Sequence, residues 1–175
     1  ARYGFTGAVR GLAVSNGVLF DLGGGSMQVS RFAHRRLGKS VSLPLGALRL
    51  SQTFLESDPP TAKQLRRLRA HVRQTLDKAR VAKLASGERL VGTGGTLRNL
   101  AKIDHVRRQY PISGLHGYEL ATDRLSGIVD RLAASREKAR DEIAGLSAER
   151  ADSIVGGAIA IEIVAEALGA GELPV

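Results

Sequence analysis

Residues 20–30 read Phe20-Asp21-Leu22-Gly23-Gly24-Gly25-Ser26-Met27-Gln28-Val29-Ser30. An apolar run, Val18-Leu19-Phe20, ends in a carboxylate. Three glycines and a serine follow, and a second apolar run from Met27 to Phe32 leads away. The pattern predicts a strand over 18–22, a tight glycine turn and a second strand over 27–33. Glycine has no Cβ, so its backbone can take positive φ and a ligand can approach its N–H groups closely. Successive N–H groups in such a turn make an anion-binding concavity. Asp21, at the mouth of the turn, offers the hard oxygen that divalent cations prefer. A glycine-rich hairpin can also be a turn and nothing more. The carboxylate before it and the serine after it tip the reading towards phosphate plus metal.

A second glycine segment strengthens that reading. Arg89-Leu90-Val91 has the character of a strand and runs into Gly92-Thr93-Gly94-Gly95-Thr96, after which Leu97 to Ile103 has helical character. A strand–glycine–helix unit directs backbone N–H groups at an anion on the helix N-terminus.

Between and beyond these units the chain alternates helices and short strands. Arg35 to Lys39 is a turn, with a third strand from Val41 to Leu45, so three adjacent strands form an antiparallel meander. Gly46 to Leu55 is a short helix closed by Ser57-Asp58-Pro59-Pro60. Thr61 caps a long helix to Ala85, with Leu65, Leu68, Val72, Leu76 and Ala79 as its buried stripe. Residues 2–12 finish a helix, and 104–113 form a loop. Tyr118 to Leu120 is extended, and Thr122 caps a helix to Ala134. A charged helical segment covers 135–143, and a long apolar helix runs from Leu146 to Leu168. Gly156-Gly157 inside that helix costs about 1 kcal/mol per glycine relative to Ala. Close helix packing explains it better than ligand approach. The element order predicts an α/β fold with a mixed sheet.

The 175 residues are 43% hydrophobic, enough for one ordinary core, and the absence of cysteine excludes disulfides and thiolate chemistry. No apolar segment is long enough to span a bilayer, and no signal peptide opens the chain, so a cytoplasmic location is the default expectation. The net charge of +9 attracts polyanions. Seven scattered aromatics give no base-stacking platform, so nucleic acid is disfavoured as the partner. The arginines and lysines of helix 61–85 read as a solvated face, with contact to an acidic ligand as the alternative. His34, His71, His105 and His116 show no metal-ligand spacing. Arg98 and Arg150 could touch phosphates, but structural salt bridges suit them better, Arg150 with Asp152 or Glu149. The chain opens without methionine and ends as a strand would begin, which predicts a piece of a longer protein.

Four motifs, in order, resemble the exopolyphosphatase/guanosine pentaphosphate phosphatase family. They are Phe20 to Ser26, Leu43-Pro44-Leu45-Gly46-Ala47-Leu48-Arg49-Leu50, Val91 to Thr96, and Glu149-Arg150-Ala151-Asp152-Ser153-Ile154-Val155-Gly156-Gly157-Ala158. The resemblance implies one lobe of a two-lobed actin-like (ribonuclease H-like) fold, with residues 1–16 a remnant of the inter-lobe connection and 17–175 the phosphate-binding lobe. It implies hydrolysis of the terminal phosphoanhydride of polyphosphate or guanosine pentaphosphate with Mg²⁺. Gly23, Gly24, Gly25 and Ser26 would hold the terminal phosphate, Asp21 would help place the metal, and Gly92, Thr93, Gly94, Gly95 and Thr96 would form the second glycine loop. Partners implied are the missing N-terminal lobe and, as a further state, a homodimer. The sequence departs from the family pattern in two ways. The general base belongs to a segment that would precede Ala1 and the first phosphate loop to the other lobe, so this piece alone would be inactive. Gln28 stands where the family has Glu, as it does in apyrase-type nucleotide phosphatases. An amide can orient a water but takes no proton, which keeps open a phosphate- or alarmone-binding regulatory module without turnover.

Overall fold

The computed structural model describes residues 5, 7, 9 and 11–175. The element order is β1 (Gly17–Leu22), β2 (Met27–Ala33), β3 (Arg36–Leu43), α1 (Ala47–Phe54), α2 (Ala62–Ala79), β4 (Arg89–Thr93), α3 (Gly95–Arg107), β5 (Glu119–Ala121), α4 (Thr122–Ala134), α5 (Glu137–Arg140), a 3₁₀ turn (Ala148–Arg150), α6 (Ile154–Leu168) and β6 (Glu172–Pro174). Four strands form one sheet in the order β3-β2-β1-β4, and β5 pairs with β6 in a second. The meander β1–β2–β3 is antiparallel, whereas β4 joins β1 in parallel. The mixed sheet expected from the sequence is therefore present.

Strand side chains alternate between faces. Val18, Phe20 and Leu22 of β1 point into the main core beneath the helices. Leu19, Phe32 and Val91 point the other way, onto Phe5, Val9, Leu12 and Val14. Phe5, Gly7 and Val9 are helical; Arg2 and Tyr3, part of the helix expected over 2–12, lie outside the described residues. No helix among the described residues is long and apolar enough to cross a membrane.

Helix α6 is the centre of the main core. Twelve of its fifteen residues are buried, as a helix apolar on all sides requires, and it packs against α1, α2, α3 and α4. A Cβ on Gly156 would lie 2.6 Å from Ser51 Oγ on α1, and one on Gly157 would lie 2.8 Å from Ala47 Cβ and from Thr96 Cγ2 on α3. The paired glycines exist for close packing.

Several boundaries differ from the sequence reading, each for a local reason. The β2–β3 turn falls at His34-Arg35, both with positive φ (49° and 59°), so β3 starts at Arg36, well before Val41. Two such residues make the primed turn that matches strand twist. Asn16 Oδ1 and the Ser15 carbonyl accept from the N–H groups of His34 and Arg35 and hold it there. Helix α2 ends at Ala79, short of Ala85, because left-handed Arg80 donates its N–H to the Leu76 and Asp77 carbonyls. Thr122 is the first residue of α4, not its cap, and its N–H and Oγ1 both donate to the Gly171 carbonyl. The loop expected over 104–113 is helical as far as Arg107, since Asp104 is buried and accepts from Tyr118 Oη (2.7 Å) and Arg124 Nε (2.8 Å). The helical segment expected over 135–143 is a single turn, Glu137–Arg140, and the helix expected from Leu146 becomes a 3₁₀ turn with α6 starting at Ile154.

Two tests of the core follow. Gly157→Val overfills the α6–α1–α3 contact and should cost about 1–3 kcal/mol in urea unfolding. Burial, then the hydrogen bond to Asp104, raises the Tyr118 phenol above its ordinary value. The folded state thus holds that proton more tightly than the unfolded chain. The stabilisation is complete below about pH 10 and is lost as pH climbs through the higher folded value. Tyr118→Phe should flatten the alkaline fall of the unfolding midpoint relative to the unsubstituted protein.

Candidate active site

Because β1 and β4 are parallel, both end at one edge of the sheet, and each leads into a glycine segment. Asp21 stands directly across from Thr93. A crevice outside the carboxyl ends of parallel strands is where open α/β sheets bind ligands.

The first glycine turn is seated on the N-terminus of α1. Gly23 N–H donates to the Ser26 carbonyl (3.0 Å), closing the turn. Ala47 N–H donates to the Gly23 carbonyl (2.9 Å) and Arg49 N–H to the Gly24 carbonyl (3.0 Å). Arg49 Nε donates to the Gly25 carbonyl (2.9 Å). In a trans peptide the N–H points opposite to the C=O. With three carbonyls drawn towards α1 and Arg49, the N–H groups of Gly24, Gly25 and Ser26 face away from them. They donate to no other group among the described residues, and three such N–H groups in sequence form an anion nest. Gly46, buried ahead of α1, must be glycine, because a Cβ there would collide with the Gly24 carbonyl.

The second segment abuts the first. Gly94 has φ +113°, and a Cβ on it would collide with the Leu22 carbonyl. It is the N-cap of α3 and has no side-chain cap bond; α3 starts at Gly95, earlier than the expected Leu97. The N–H groups of Gly95, Thr96 and Leu97 donate to no group among the described residues, which leaves the positive end of the helix open to an anion. The Thr96 side chain is buried against Gly157, so only its backbone faces the crevice.

The register adds a polar row. Ser42 is opposite Gln28, Gln28 opposite Asp21, and Asp21 opposite Thr93. Residues directly across from one another share a face, so the row crosses all four strands beside the glycine turn. Asp21 is exposed and makes no ion pair among the described residues. Asp21, Gly92, Thr93, Gly94, Arg98 and His116 border a concavity of about 470 Å³.

Arg150 comes next to the second glycine segment. Its guanidinium lies against Gly95, where a Cβ would sit 2.6 Å from Arg150 Cζ. Neither Arg150 nor Arg98 forms an ion pair among the described residues, so the expected bridge from Arg150 to Asp152 or Glu149 is not made. A guanidinium and a helix N-terminus meet here, and no carboxylate among the described residues forms an ion pair with that guanidinium. The basic helix α2 is only partly a solvated face: Arg69 pairs with Glu162 and Arg73 with Glu166, both on α6.

No group of three or more His, Cys, Asp or Glu that could hold a metal occurs among the described residues. Asp21, the Gln28 amide oxygen and the Thr93 hydroxyl nevertheless suit Mg²⁺, which is commonly held by one or two carboxylates together with substrate phosphates and water.

The Ppx/GppA phosphatase family profile matches residues 1–173. The chain belongs to that family. It is 33% identical over 171 residues to exopolyphosphatase 2 of Mycobacterium tuberculosis, covering 96% of this chain and 53% of that protein. Exopolyphosphatase 1 of Mycobacterium leprae is 33% identical over 159 residues, covering 85% of the chain and 44% of the relative. The chain thus spans about half the length of the relatives it matches. The crystal structure of the Aquifex aeolicus Ppx/GppA family member superposes with a TM-score of 0.87 at 24% identity, over 99% of this chain and 56% of that one. An exopolyphosphatase from Cytophaga hutchinsonii superposes at 0.81 with 22% identity, over 97% and 55%. These likenesses establish the fold, which is the actin-like lobe that the sequence resemblance implied.

Within this Ppx/GppA fold the seating of the glycine turn is open to test. Gly46→Ala should push the turn off α1 and cost about 1–3 kcal/mol. The amide resonances of Gly24, Gly25 and Ser26 should shift together while those of β5 and β6 stay in place.

Proposed function

We propose that the protein carrying this chain is a Mg²⁺-dependent phosphoanhydride hydrolase that releases the terminal phosphate of polyphosphate or guanosine pentaphosphate. The observation that carries the reading is the convergence near Asp21 of two anion-seeking features: the three outward N–H groups of 24–26, and the α3 N-terminus with Arg150, which forms no ion pair among the described residues, above it. The net charge of +9 adds long-range attraction for a polyanion.

Phosphoryl transfer asks chiefly for positioning and for neutralisation of charge on the transferred group. In this reading the 24–26 nest grips the terminal phosphate, and the Gly95–Leu97 N–H groups with Arg150 hold the neighbouring one. Asp21, helped by Gln28 and Thr93, would hold Mg²⁺, which supplies positive charge to the phosphate oxygens when bound. Gln28 orients the attacking water through its amide. The polar row contains one carboxylate, Asp21, and a second group must accept the proton from water. We assign that base, and the opposite wall of the cleft, to the part of the protein that this chain does not include, so the chain alone would bind phosphates without turning them over.

The test is phosphate release by the full-length protein from polyphosphate and from guanosine pentaphosphate with Mg²⁺, beside this chain. Release by the former and none by the latter is expected. Asp21→Asn should lower kcat by roughly 10²–10³-fold, the usual loss when one transition-state contact is removed. Arg150→Met should raise KM by about tenfold or more, as loss of a charged hydrogen bond does. Tight binding without release by the full-length protein would overturn hydrolysis in favour of a regulatory phosphate sensor.

A further inference from the structure

The sequence predicts an unbroken helix from Leu146 to Leu168, yet 147–153 is held out of it. Side chains from three other elements take up its backbone groups. Asn99 of α3 accepts from Ser147 N–H (2.7 Å) and donates to the Gly95 carbonyl (2.8 Å). Ser51 of α1 donates to the Ser153 carbonyl (3.3 Å). Arg140 Nε donates to the Ala151 carbonyl (2.8 Å). The result is a 3₁₀ turn, tighter than an α-helix and differently phased, and it carries Arg150 over Gly95.

Arg140 is the unusual member. Its residue is 4% exposed, and its other donors go to the Ser135 carbonyl (2.6 Å), the Leu132 carbonyl (3.4 Å) and Asp58 Oδ1 (3.2 Å). Asp58 also accepts from Glu137 N–H through both oxygens (3.0 and 2.8 Å). Burying a guanidinium is costly unless its donors are matched, and apolar side chains usually fill such space at least as well. This one ties the loop after α1, the α5 turn and the residue next to Arg150 into one unit.

We propose that Arg140, anchored by Asp58, is a positioning residue for the phosphate site. It fixes the Ala151 carbonyl, and thereby the 3₁₀ turn, so that the Arg150 guanidinium is oriented over the α3 N-terminus before substrate arrives. Preorganisation of this kind saves the ordering entropy that a mobile arginine would lose on binding. The proposal rests on the reading that Arg150 contacts phosphate.

The test is a double-mutant cycle in the full-length protein, with polyphosphate and Mg²⁺ as the probe and KM, kcat and thermal midpoint as readouts. Arg150→Met alone should raise KM about tenfold. Arg140→Met should raise KM severalfold, and should add nothing further when Arg150 is already Met. Arg140→Lys, which keeps a donor for the Ala151 carbonyl, should recover part of the loss. Where Arg140→Met does not fold, Asp58→Asn replaces it in the cycle, with a smaller rise in KM that also disappears in the Arg150→Met background. An unchanged KM, or the same factor in both backgrounds, overturns the positioning role and leaves Arg150 in place. An unchanged KM in Arg150→Met overturns the reading of Arg150 and this inference with it.

Discussion

The separation of α6 from α1 and α3 governs the rest of the molecule. Gly156 lets α6 touch Ser51 and the Ala47 carbonyl, and Gly157 lets it touch Ala47 and Thr96. Those two helices carry the two glycine segments on their N-termini. A side chain at either glycine would pry one segment away from the sheet edge, because interiors are packed too densely to absorb it. The backbone freedom that glycine costs a helix is offset here by a contact no larger residue permits.

From that packing the polarity of the site follows. The N-terminus of α1 needs acceptors for its open N–H groups, and the carbonyls of Gly23 and Gly24 provide them. Peptide planarity then turns the opposite edges, the N–H groups, outward. The N-terminus of α3 finds no such acceptor among the described residues. One helix end orients a nest, and the other serves as a nest. Both lie beside Asp21, the single carboxylate of the polar row; backbone N–H groups so placed suit an anion, and a carboxylate oxygen would suit a hard cation.

Much of this was legible in the chain. The Asp21-to-Ser26 stretch, the Gly92-to-Thr96 stretch and the mixed sheet all rest on local chemistry, in which strand alternation and glycine punctuation leave direct marks. The packing role of Gly156-Gly157 was legible too, because glycine inside an apolar helix has few other uses. Less legible were the ends of elements. The β2–β3 turn sits on His34 and Arg35, which carry no turn signature, because Asn16 and Ser15 hold it from outside. Residues 104–107 read as loop because Asp104 is charged, and they are helical because Tyr118 and Arg124 satisfy its buried carboxylate. For Arg150 the flanking Glu149 and Asp152 suggest a salt bridge. In the fold neither reaches it, and Asn99, Arg140 and Ser51 shape its segment instead.

The sequence by itself determined where the chain makes glycine turns and where a carboxylate ends a strand, because glycine's missing Cβ and the Asp21 carboxyl are properties of the residues. Tertiary structure alone decided that the two glycine segments share one edge, that Gln28, Asp21 and Thr93 form one row, and that Arg150 lies above Gly95. Each of these is a contact between residues far apart in the chain, set by the parallel β1–β4 register and by helix packing. Local periodicity carries no record of such partners.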